Sequence, residues 1–548
     1  MKKIGFYIKR FLLIILGLLL LFLAYFFWAI QIPVPKIDRS KIHPEDLKKV
    51  NDSCYVYEDA WLRKNRLGLW EMYISGSPEE LGIKNGILSQ HLIHAQEEAF
   101  VKQIKRMIPS DSYLKFLKYI TAYMNRELPD YIPQEYLKEI KAVSLFASHD
   151  FDFIGDNYTR QLNYHAAHDI GHAMQNLHLV ECTAFAVWAN RSQDSSLLIG
   201  RNFDFYVGDE FAKNKIVIFV KPDQGIPFAS ITWGGMIGVV SGINEQGLSI
   251  TLNSAKGNIP LTAKTPVSII ARQILQYASN IQEAYEIAKK HPSFVSESFM
   301  IGSAYDHRTA IIEKTPDTTV LYQVDNQHIV LTNHFQSTAL FSTKINQENM
   351  EENVTTYRFN RVEELLAGQD KFNEKDFAGL LRDDKGLGNA DIGLGNEGAV
   401  NQLIAHHSII FKPMQKEFWI STKPYQLGAY LAYQLDSVFA KPYFTSTARD
   451  LIQQSIPADS LFLSSKYQQF LKYKATIDSI HAGVSINEAA FIATNPVYFS
   501  TYEILGDYSE AMDKPTDAQN YYSQALQCFV PNKYERKRIE QKIQKITQ

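Results

Sequence analysis

A series of short β-rich segments beginning at residue 183 constrains the fold of this chain more than any other feature. Each segment is rich in β-branched and aromatic residues and is bounded by turn residues, as strands are. The predicted strands cover residues 183–188, 197–205, 216–220, 247–253, 299–304, 309–313, 320–324 and 329–332, and a hairpin follows over 409–411 and 417–421. Helices are predicted at Val267–Tyr277 and Ile281–Lys290. Because the strands cluster in one part of the chain, we predict an α+β domain.

Helical patterns precede and follow these strands. Between residues 81 and 146 apolar residues recur at steps of three and four, and a second helical stretch over 165–177 leads directly into residue 182. Beyond about residue 440 the pattern is helical again, and residues 505–525 approximate one tetratricopeptide repeat. One such repeat cannot bury its own apolar face, so we expect it to pack on the main domain or on a partner.

The amino terminus has the composition of a membrane anchor. Basic residues at positions 2, 3, 9 and 10 precede an apolar run over residues 11–30, and about 20 helical residues cross the ~30 Å hydrocarbon core of a bilayer. A cleaved signal peptide is the alternative, but its apolar region is usually shorter, and no small-x-small cleavage site precedes Gln31. We therefore predict a single-pass anchor with the rest of the chain on the extracytoplasmic (periplasmic) side, although basic residues after the span weaken this topology signal.

Charge and cysteine content argue against two classes of protein. The chain of 548 residues has a formal net charge of −3, and it lacks the basic excess of a nucleic-acid-binding protein. Its three cysteines, Cys54, Cys182 and Cys528, are too few for a disulfide scaffold and contain no C-x-x-C pair. Cys54 and Cys528 could pair in an oxidising compartment, but we favour two unreactive buried thiols.

Cys182 stands at the head of the first predicted strand, and the next strand brings Arg201 and Asp204 after Gly200. If the bond before Cys182 is cut, the residue gains a free α-amine with a reference pKa of about 8, which can take the thiol proton. Arg201 would lower the pKa of the thiol. In a regular strand Arg201 and Asp204 lie on opposite faces, and both face the thiol only if Gly200 opens a bulge or the strand ends there.

Two asparagines and a further arginine complete the set of candidate site residues. Asn253 ends one predicted strand and Asn333 follows another. Neutral amides can donate hydrogen bonds to an oxyanion, so the pair suits a tetrahedral intermediate. Each asparagine by itself is more often a turn residue at a strand end, and Arg358 by itself is a charge on a helix surface.

Together these motifs resemble the penicillin acyltransferase and choloylglycine hydrolase superfamily of N-terminal-nucleophile hydrolases, which includes acid ceramidase and N-acylethanolamine acid amidase. The resemblance extends over roughly residues 72–435 and follows the order and spacing of the family's motifs. The motifs cover residues 75–82 with Gly86, 182–183, 200–205, 244–253, 331–335, Arg358, 405–411 and 418–421. The anchor and the C-terminal helices lie outside it.

The resemblance implies a fold and a role for each candidate. The fold is a four-layer αββα sandwich, and the enzyme is a linear-amide hydrolase or acyltransferase that needs no cofactor or metal. Cys182 would attack the amide carbonyl with its own α-amine as base, Asp204 would hold that amine, and Arg201 would lie against the thiolate or a substrate carboxylate. The remaining residues would form the oxyanion hole (Asn253 and Asn333) and brace the site (Arg358).

The implied cleavage point is the bond between Glu181 and Cys182, where many bacterial and fungal members have Gly in place of Glu181. The chain is then divided into a cytoplasmic tip and anchor (1–31), a mostly helical pro-region (32–181), a catalytic domain (182–440) and a helical extension (441–548). The substrate would be a small-molecule or lipid amide. An N-acyl lipid or lipopeptide is favoured, because its acyl tail would come from the bilayer. The C-terminal helices offer a surface for a protein partner.

Two other classes of function are alternatives. His165, His168, Asp169 and His172 fall on one face of a predicted helix and could bind a metal ion, which would make the protein a metal-dependent hydrolase. No downstream group of potential ligands has comparable spacing. A non-catalytic anchored scaffold that binds partners through its C-terminal helices is the third class.

Overall fold

The computed structural model describes residues 2–108, 110–166, 180–205, 207–258, 263–440 and 454–547. Its strands are β1 Lys48–Asn51, β2 Cys54–Tyr57, β3 Ala60–Lys64, β4 Trp70–Gly76, β5 Val180–Val187, β6 Leu198–Phe205, β7 Ile216–Pro222, β8 Phe228–Thr232, β9 Ser241–Asn244, β10 Leu248–Ser254, β11 Glu297–Ser303, β12 Arg308–Lys314, β13 Thr319–Tyr322, β14 His328–Leu331, β15 His407–Lys412, β16 Glu417–Ser421, β17 Tyr430–Gln434 and β18 Ser455–Ile456. Its α-helices are α1 Lys2–Ala29, α2 Pro78–Met107, α3 Asp111–Met124, α4 Leu128–Tyr131, α5 Gln134–Ser144, α6 Asn157–His165, α7 Val267–Tyr277, α8 Ile281–Lys290, α9 Thr338–Phe341, α10 Lys344–Glu352, α11 Thr355–Ala367, α12 Glu374–Leu381, α13 Leu435–Ala440, α14 Ser465–His481, α15 Glu488–Ile492, α16 Phe499–Ala511, α17 Pro515–Gln527 and α18 Lys533–Thr547.

The strands form two sheets. The 11-stranded sheet has the order β1-β2-β3-β4-β7-β8-β9-β10-β11-β12-β13, and the 7-stranded sheet has the order β14-β5-β6-β15-β16-β17-β18. Neighbouring strands are antiparallel except for β4 and β7, which run parallel. The chain is therefore a mixed α/β protein.

Three clusters of buried apolar side chains join these elements. The first contains residues of the large sheet and of helices α2, α5, α7 and α8. The second contains residues of both sheets, and the third joins the small sheet to α11 and α12. Because successive side chains of a strand point to opposite faces, β5 contributes Ala184 and Ala186 to the second cluster and Phe185 and Val187 to the third.

The strands predicted between residues 183 and 332 are all present, with ends that shift by a few residues. Helices α7 and α8 have the predicted bounds, and the predicted hairpin is formed by β15 and β16. Strands β8, β9, β17 and β18 were not predicted. β9 is short and contains Gly242, so its local sequence carries little strand preference, and its place depends on pairing with β8 and β10.

The part of the chain over residues 32–181 contains helices α2 to α6, as expected, but also strands β1 to β4, which were missed. These strands extend the large sheet, because β4 pairs with β7 along its whole length, from Trp70 opposite Ile216 to Gly76 opposite Pro222. The two sides of residue 181 therefore share one sheet and one apolar core.

Helix α1 contains one stretch, Phe6–Ala29, that is long and apolar enough to cross a membrane, with a mean hydropathy of 2.8. Membrane anchors and signal sequences both contain such a helix. Its C-terminal end contacts the rest of the protein through aromatic rings. Phe26 stacks on Tyr123 with a centroid distance of 5.4 Å, and Phe27 meets Tyr119 edge to face at 6.0 Å, both on α3.

The C-terminal helices pack on the main domain, which is one of the two expectations stated for the repeat-like segment. Phe470 of α14 and Leu505 of α16 are buried in one cluster with Leu394 and Leu427 of the preceding part of the chain. The repeat-like pair α16 and α17 is in close contact, since a Cβ atom at Gly506 would lie 2.3 Å from the ring of Tyr522.

Candidate active site

Cys182 lies on β5 and is fully buried between the two sheets. It is opposite Phe203 of β6, and it shares its face of the strand with Ala184, whose side chain packs against the large sheet. The thiol is surrounded by an apolar and largely aromatic cluster, whose other members are Phe203, Phe205, Val207, Phe211, Trp233, Met236 and Val240. The regular register of β5 and β6 thus places the sulfur inside the protein, facing the large sheet.

Arg201 connects the thiol to the large sheet. Its Nη2 donates to the Sγ of Cys182 at 3.4 Å and to the carbonyl oxygen of Leu252. Its Nη1 donates to the carbonyl oxygen of Val240 at 3.0 Å and to Oγ of Ser241 at 2.7 Å. The guanidinium group also lies 4.3 Å from the ring centroid of Phe203. These contacts hold the cation against the sulfur.

Burial and the arginine have opposite effects on the thiol. Burial raises the pKa of Cys182 to about 11, although the charge of Arg201 opposes the rise. The desolvation effect is the larger of the two. In the intact chain the thiol is therefore protonated at neutral pH and is a poor nucleophile.

The main chain around residue 182 is held by Asn333 and Arg358. The backbone N–H of Cys182 donates to Oδ1 of Asn333 at 3.1 Å. Arg358 of α11 donates to the carbonyl oxygen of Cys182, to Oγ1 of Thr183, to Oε2 of Glu181 and to Oδ1 of Asn333, each at 2.8 Å. These two side chains therefore hold the peptide groups on both sides of the Cys182 Cα atom, through its N–H and its carbonyl oxygen.

Asp204 lies on the other face of β6 from Arg201, because the pairing of β5 with β6 continues without a bulge at Gly200. Of the two arrangements considered for this strand, the regular pleat is the one found. Asp204 is directly opposite Glu181, and, among the described residues, neither of its carboxylate oxygens has a hydrogen-bond partner. Burial raises the pKa of Asp204 to about 8, and nearby Glu181 adds to the rise.

The amide donors of the two asparagines are already engaged in this intact form. Nδ2 of Asn253 donates to the carbonyl oxygens of Leu331 and Thr332, at 3.2 and 3.3 Å. Nδ2 of Asn333 donates to the carbonyl oxygen and Oγ of Ser254, at 3.0 and 2.7 Å. Asn333 is thus placed at the Cys182 nitrogen, and the expected oxyanion hole is not preformed by these side chains.

Several residues of the site had no predicted role. Ser241 links Arg201 to His407, and His406 lies beside His407. The sequence motif 405–411 contained both histidines, but only the tertiary structure brings them close to Arg201. The aromatic cluster could have been found from the alternation of Arg201, Phe203 and Phe205 on one strand face.

A cavity of about 30 Å³ adjoins this cluster. Its walls come from both sides of residue 181, with Phe100 and Tyr164 on one side and Phe205, Phe211 and Trp233 on the other. The volume suits one water molecule and not a substrate.

The alternative of a metal site on the histidine helix rests on His165 within the described residues. Nδ1 of His165 bonds the carbonyl oxygen of Gln161 at 2.7 Å, and its Nε2 accepts from the N–H of Ile237 at 3.0 Å. Both ring nitrogens are therefore in use, and His165 is a poor metal ligand here. His168, Asp169 and His172 lie outside the described residues. All three cysteines are free thiols, so Cys54 and Cys528 are not paired. Cys54 is buried as predicted, but Cys528 is only half-buried.

The contacts of Arg201 thus lie between the two sheets of a mixed α/β domain. Comparison with protein families gives a match to part of the chain. Residues 189–391 match the family described as acyl-coenzyme A:6-aminopenicillanic acid acyl-transferase. This match supports the resemblance to the penicillin acyltransferase and choloylglycine hydrolase superfamily that the motifs indicate. The matched stretch begins after Cys182 and ends before His406.

The individual proteins that are similar to this chain share little sequence identity with it. An uncharacterized protein of Archaeoglobus fulgidus is 24% identical over 277 residues, which cover 48% of this chain and 46% of that protein. The chain thus spans about half the length of this relative. Among solved structures, the Caenorhabditis elegans orthologue of N-acylethanolamine-hydrolyzing acid amidase is 15% identical, with a TM-score of 0.31, over 42% of this chain and 93% of that one. A mutant conjugated bile acid hydrolase from Clostridium perfringens is 12% identical, with a TM-score of 0.32, over 47% of this chain and 93% of that one.

Proposed function

We propose that this protein is a membrane-anchored, self-cleaving cysteine amidase or acyltransferase that acts on linear amide bonds. The proposal is supported chiefly by the contact of Arg201 with the Sγ of Cys182, on a residue whose backbone nitrogen is held by Asn333. The family assignment supports the type of bond. The fold would be the four-layer αββα form. Three apolar clusters support it, because they join helices to each sheet and the two sheets to each other.

The first step is cleavage of the chain before Cys182. The sulfur attacks the carbonyl carbon of Glu181, the C–N bond breaks as the thioester forms, and the nitrogen takes the thiol proton. Water then hydrolyses the thioester, which leaves a carboxylate on Glu181 and a free thiol and α-amine on Cys182. Arg358 holds the Glu181 side chain and the Cys182 carbonyl during this step.

The second step is attack on the substrate amide. The new α-amine accepts the thiol proton, and the thiolate, stabilised by Arg201, attacks the substrate carbonyl carbon. The C–N bond breaks as the leaving amine takes that proton from the α-ammonium group, and an acyl-enzyme remains. Asp204, which lies opposite Glu181 in the intact strand pair, then holds the charged α-amine. Asn253 and Asn333 would serve the oxyanion once the chain end is released and their donors rearrange. Water completes hydrolysis, and an amine completes transfer.

Helix α1 would anchor the protein in a membrane. Helix α3, on which Phe26 and Phe27 pack, exposes Tyr113, Phe116 and Ile120 on one face, and this face continues the apolar surface of the anchor. An apolar face beside a spanning helix fits the bilayer interface. This position favours an N-acyl lipid or lipopeptide as substrate, since its acyl chain would enter from the bilayer.

The proposal is tested by intact mass and by covalent labelling of the purified full chain. We expect two fragments, residues 1–181 and 182–548, and an acylating amide probe bound to Cys182 of the second fragment. The Cys182→Ala variant should remain one full-length species and take up no probe. Full activity in a chain that stays intact, or labelling of another residue, would contradict the proposal. If Cys182→Ser fully replaced the wild-type protein in a deletion strain, the scaffold function would be favoured instead.

A further inference from the structure

A pair of buried histidines lies two strands away from the candidate nucleophile. His407 begins β15 and is opposite Phe203 of β6, which in turn is opposite Cys182 of β5. Because both are directly opposite Phe203, His407 and Cys182 lie on the same face of the sheet. Neighbouring strands are about 4.8 Å apart, so the Cα atoms of these two residues are about 10 Å apart. His406 precedes β15, and its N–H donates to the carbonyl oxygen of Phe203 at 2.8 Å. Both histidines are fully buried.

A chain of hydrogen bonds joins these histidines to Arg201. Nη1 of Arg201 lies 2.7 Å from Oγ of Ser241, Oγ of Ser241 lies 2.9 Å from Nε2 of His407, and the two Nδ1 atoms of the histidines are 2.9 Å apart. Burial, together with nearby positive charges, holds the pKa of both imidazoles well below its usual range. Both rings are therefore neutral at pH 7, and each carries one proton.

The hydrogen-bond count decides which nitrogen of His406 carries its proton. The guanidinium group only donates, so Ser241 accepts from Arg201 and its own hydroxyl hydrogen is available for Nε2 of His407. His407 then donates from Nδ1 to Nδ1 of His406, and the proton of His406 is on Nε2. The opposite assignment leaves both the Ser241 hydroxyl hydrogen and Nε2 of His406 without a partner. The first assignment leaves only the Nε2–H of His406.

This N–H group is buried and, within the described part of the chain, has no hydrogen-bond partner. Its ring lies in the aromatic cluster around the thiol, with centroid distances of 5.3 Å to Trp233, 5.8 Å to Phe211 and 6.1 Å to Phe203. Trp233 and Phe211 also line the small cavity. Buried donors without a partner are uncommon in folded proteins, and each needs an explanation such as a bound water molecule, an ion or a ligand.

We infer that the Nε2–H of His406 is the polar contact of an acyl-binding site, and that the preferred substrates carry a hydrogen-bond-accepting oxygen within the acyl chain. The inference rests on the proposed amidase function and narrows its substrate class. The aromatic rings would pack against the carbon atoms of the acyl chain, and His406 would donate to its ether, hydroxyl or carbonyl oxygen. An all-carbon chain in the same place would leave the donor unpaired, and such sites discriminate strongly.

The test compares acyl amides that differ in one atom. Decanoyl amides of one chromogenic amine are prepared with a methylene replaced by an ether oxygen at each position in turn. With the wild-type full chain, we expect one oxygen position to give a kcat/KM at least about tenfold above that of the all-carbon amide. His406→Phe should abolish this preference, so that the kcat/KM values of the ether amides fall to that of the all-carbon amide.

Two further variants separate recognition from general disturbance of the pocket. His406→Gln keeps an N–H donor and should retain part of the preference for oxygen. Phe211→Leu changes the shape of the same cluster and should alter turnover of all the amides without removing that preference. His406→Gln also serves as the working variant if His406→Phe does not fold.

The uncleaved chain has room for only one water molecule beside this cluster, so binding is measured by calorimetry on the cleaved wild-type chain with the matching carboxylic acids, which are not turned over. Oxygen-dependent binding that is lost in His406→Phe, with no turnover by the wild type, would contradict the amidase and support the site. No preference at any oxygen position, or a preference that persists in His406→Phe, would overturn the inference and leave His406 with a structural contact to Trp233.

Discussion

At the scale of single residues, the thiol of Cys182 and the carboxyl of Asp204 are both mainly uncharged at neutral pH in the intact chain. Burial raises the pKa of Cys182 to about 11 and that of Asp204 to about 8. Both changes follow from the cost of placing a charge in a water-free interior. An α-amine released at residue 182 would bring a positive charge to both groups and would favour their ionised forms.

The carboxyl of Asp204 predicts how the stability of the uncleaved chain depends on pH. Its ordinary pKa is 3.8 and its folded value is about 8, so between these values the folded chain holds a proton that the unfolded chain has lost. Stability contributed by this group is full below about pH 4 and falls as pH rises toward 8. We therefore compare the Cys182→Ala variant with and without Asp204→Asn and measure the free energy of unfolding in urea. With Asp204→Asn, this free energy should fall less steeply with pH, by roughly 1 kcal/mol per pH unit.

The comparison of the two variants removes the contribution of the buried histidines, whose lowered pKa values act in the opposite direction. Equal slopes in the two variants would show that Asp204 is ionised in the folded, uncleaved chain.

At the scale of elements, the segment before residue 182 is tied to the catalytic part by pairing and by charge. β4 joins β7 in the large sheet. Glu139 of α5 and Arg272 of α7 form a fully buried ion pair at 3.3 Å, and Arg272 also lies 4.6 Å from the ring centroid of Phe228. Cleavage before Cys182 removes none of these contacts, so the two fragments should stay associated.

The buried ion pair gives a prediction for the joint between α5 and α7. Glu139→Gln leaves the charge of Arg272 buried without its partner, and the loss of a buried partner typically costs about 3 kcal/mol. We expect this loss in urea unfolding of the uncleaved Cys182→Ala chain. Lys138→Ala, at an exposed position of the same helix, should change stability by less than about 0.5 kcal/mol. Equal effects of the two substitutions would argue against a stabilising pair.

At the scale of the whole molecule, two parts divided at residue 181 interleave around one core, and α1 belongs to the first part alone. The proposed anchor would therefore hold the second part in the membrane fraction through non-covalent contacts only. The C-terminal helices add to this assembly by packing on the second part through Phe470 and its neighbours.

Membrane fractionation checks this arrangement. After lysis, both fragments should sediment with membranes and resist a high-salt wash, because the contacts between them are mainly apolar. Concentrated urea should release residues 182–548 and leave residues 1–181 in the pellet. Deletion of residues 2–30 should move both fragments to the supernatant. Recovery of the wild-type fragments in the supernatant after lysis alone would exclude the anchor.

The local sequence pattern was sufficient to predict most of the strands after residue 182. Each strand between residues 183 and 332 has its own β-rich run and its own turns, so it could be recognised without its neighbours. Strands β1 to β4, β8, β9, β17 and β18 were missed. The place of β4 depends on pairing with β7 across more than a hundred residues, which no local pattern reveals.

The sequence by itself determined the resemblance to a superfamily and the set of candidate residues, because the order of motifs and the residue types are properties of the chain alone. Only the tertiary structure decided what these residues face. In the folded chain Asp204 lies on the strand face opposite to the thiol, across from Glu181. The amide donors of Asn253 and Asn333 bond to neighbouring groups, and His406 lies in the aromatic cluster around Cys182. The physical reason is that side-chain direction, burial and hydrogen-bond partners arise from strand register and sheet packing, which join residues far apart in the chain.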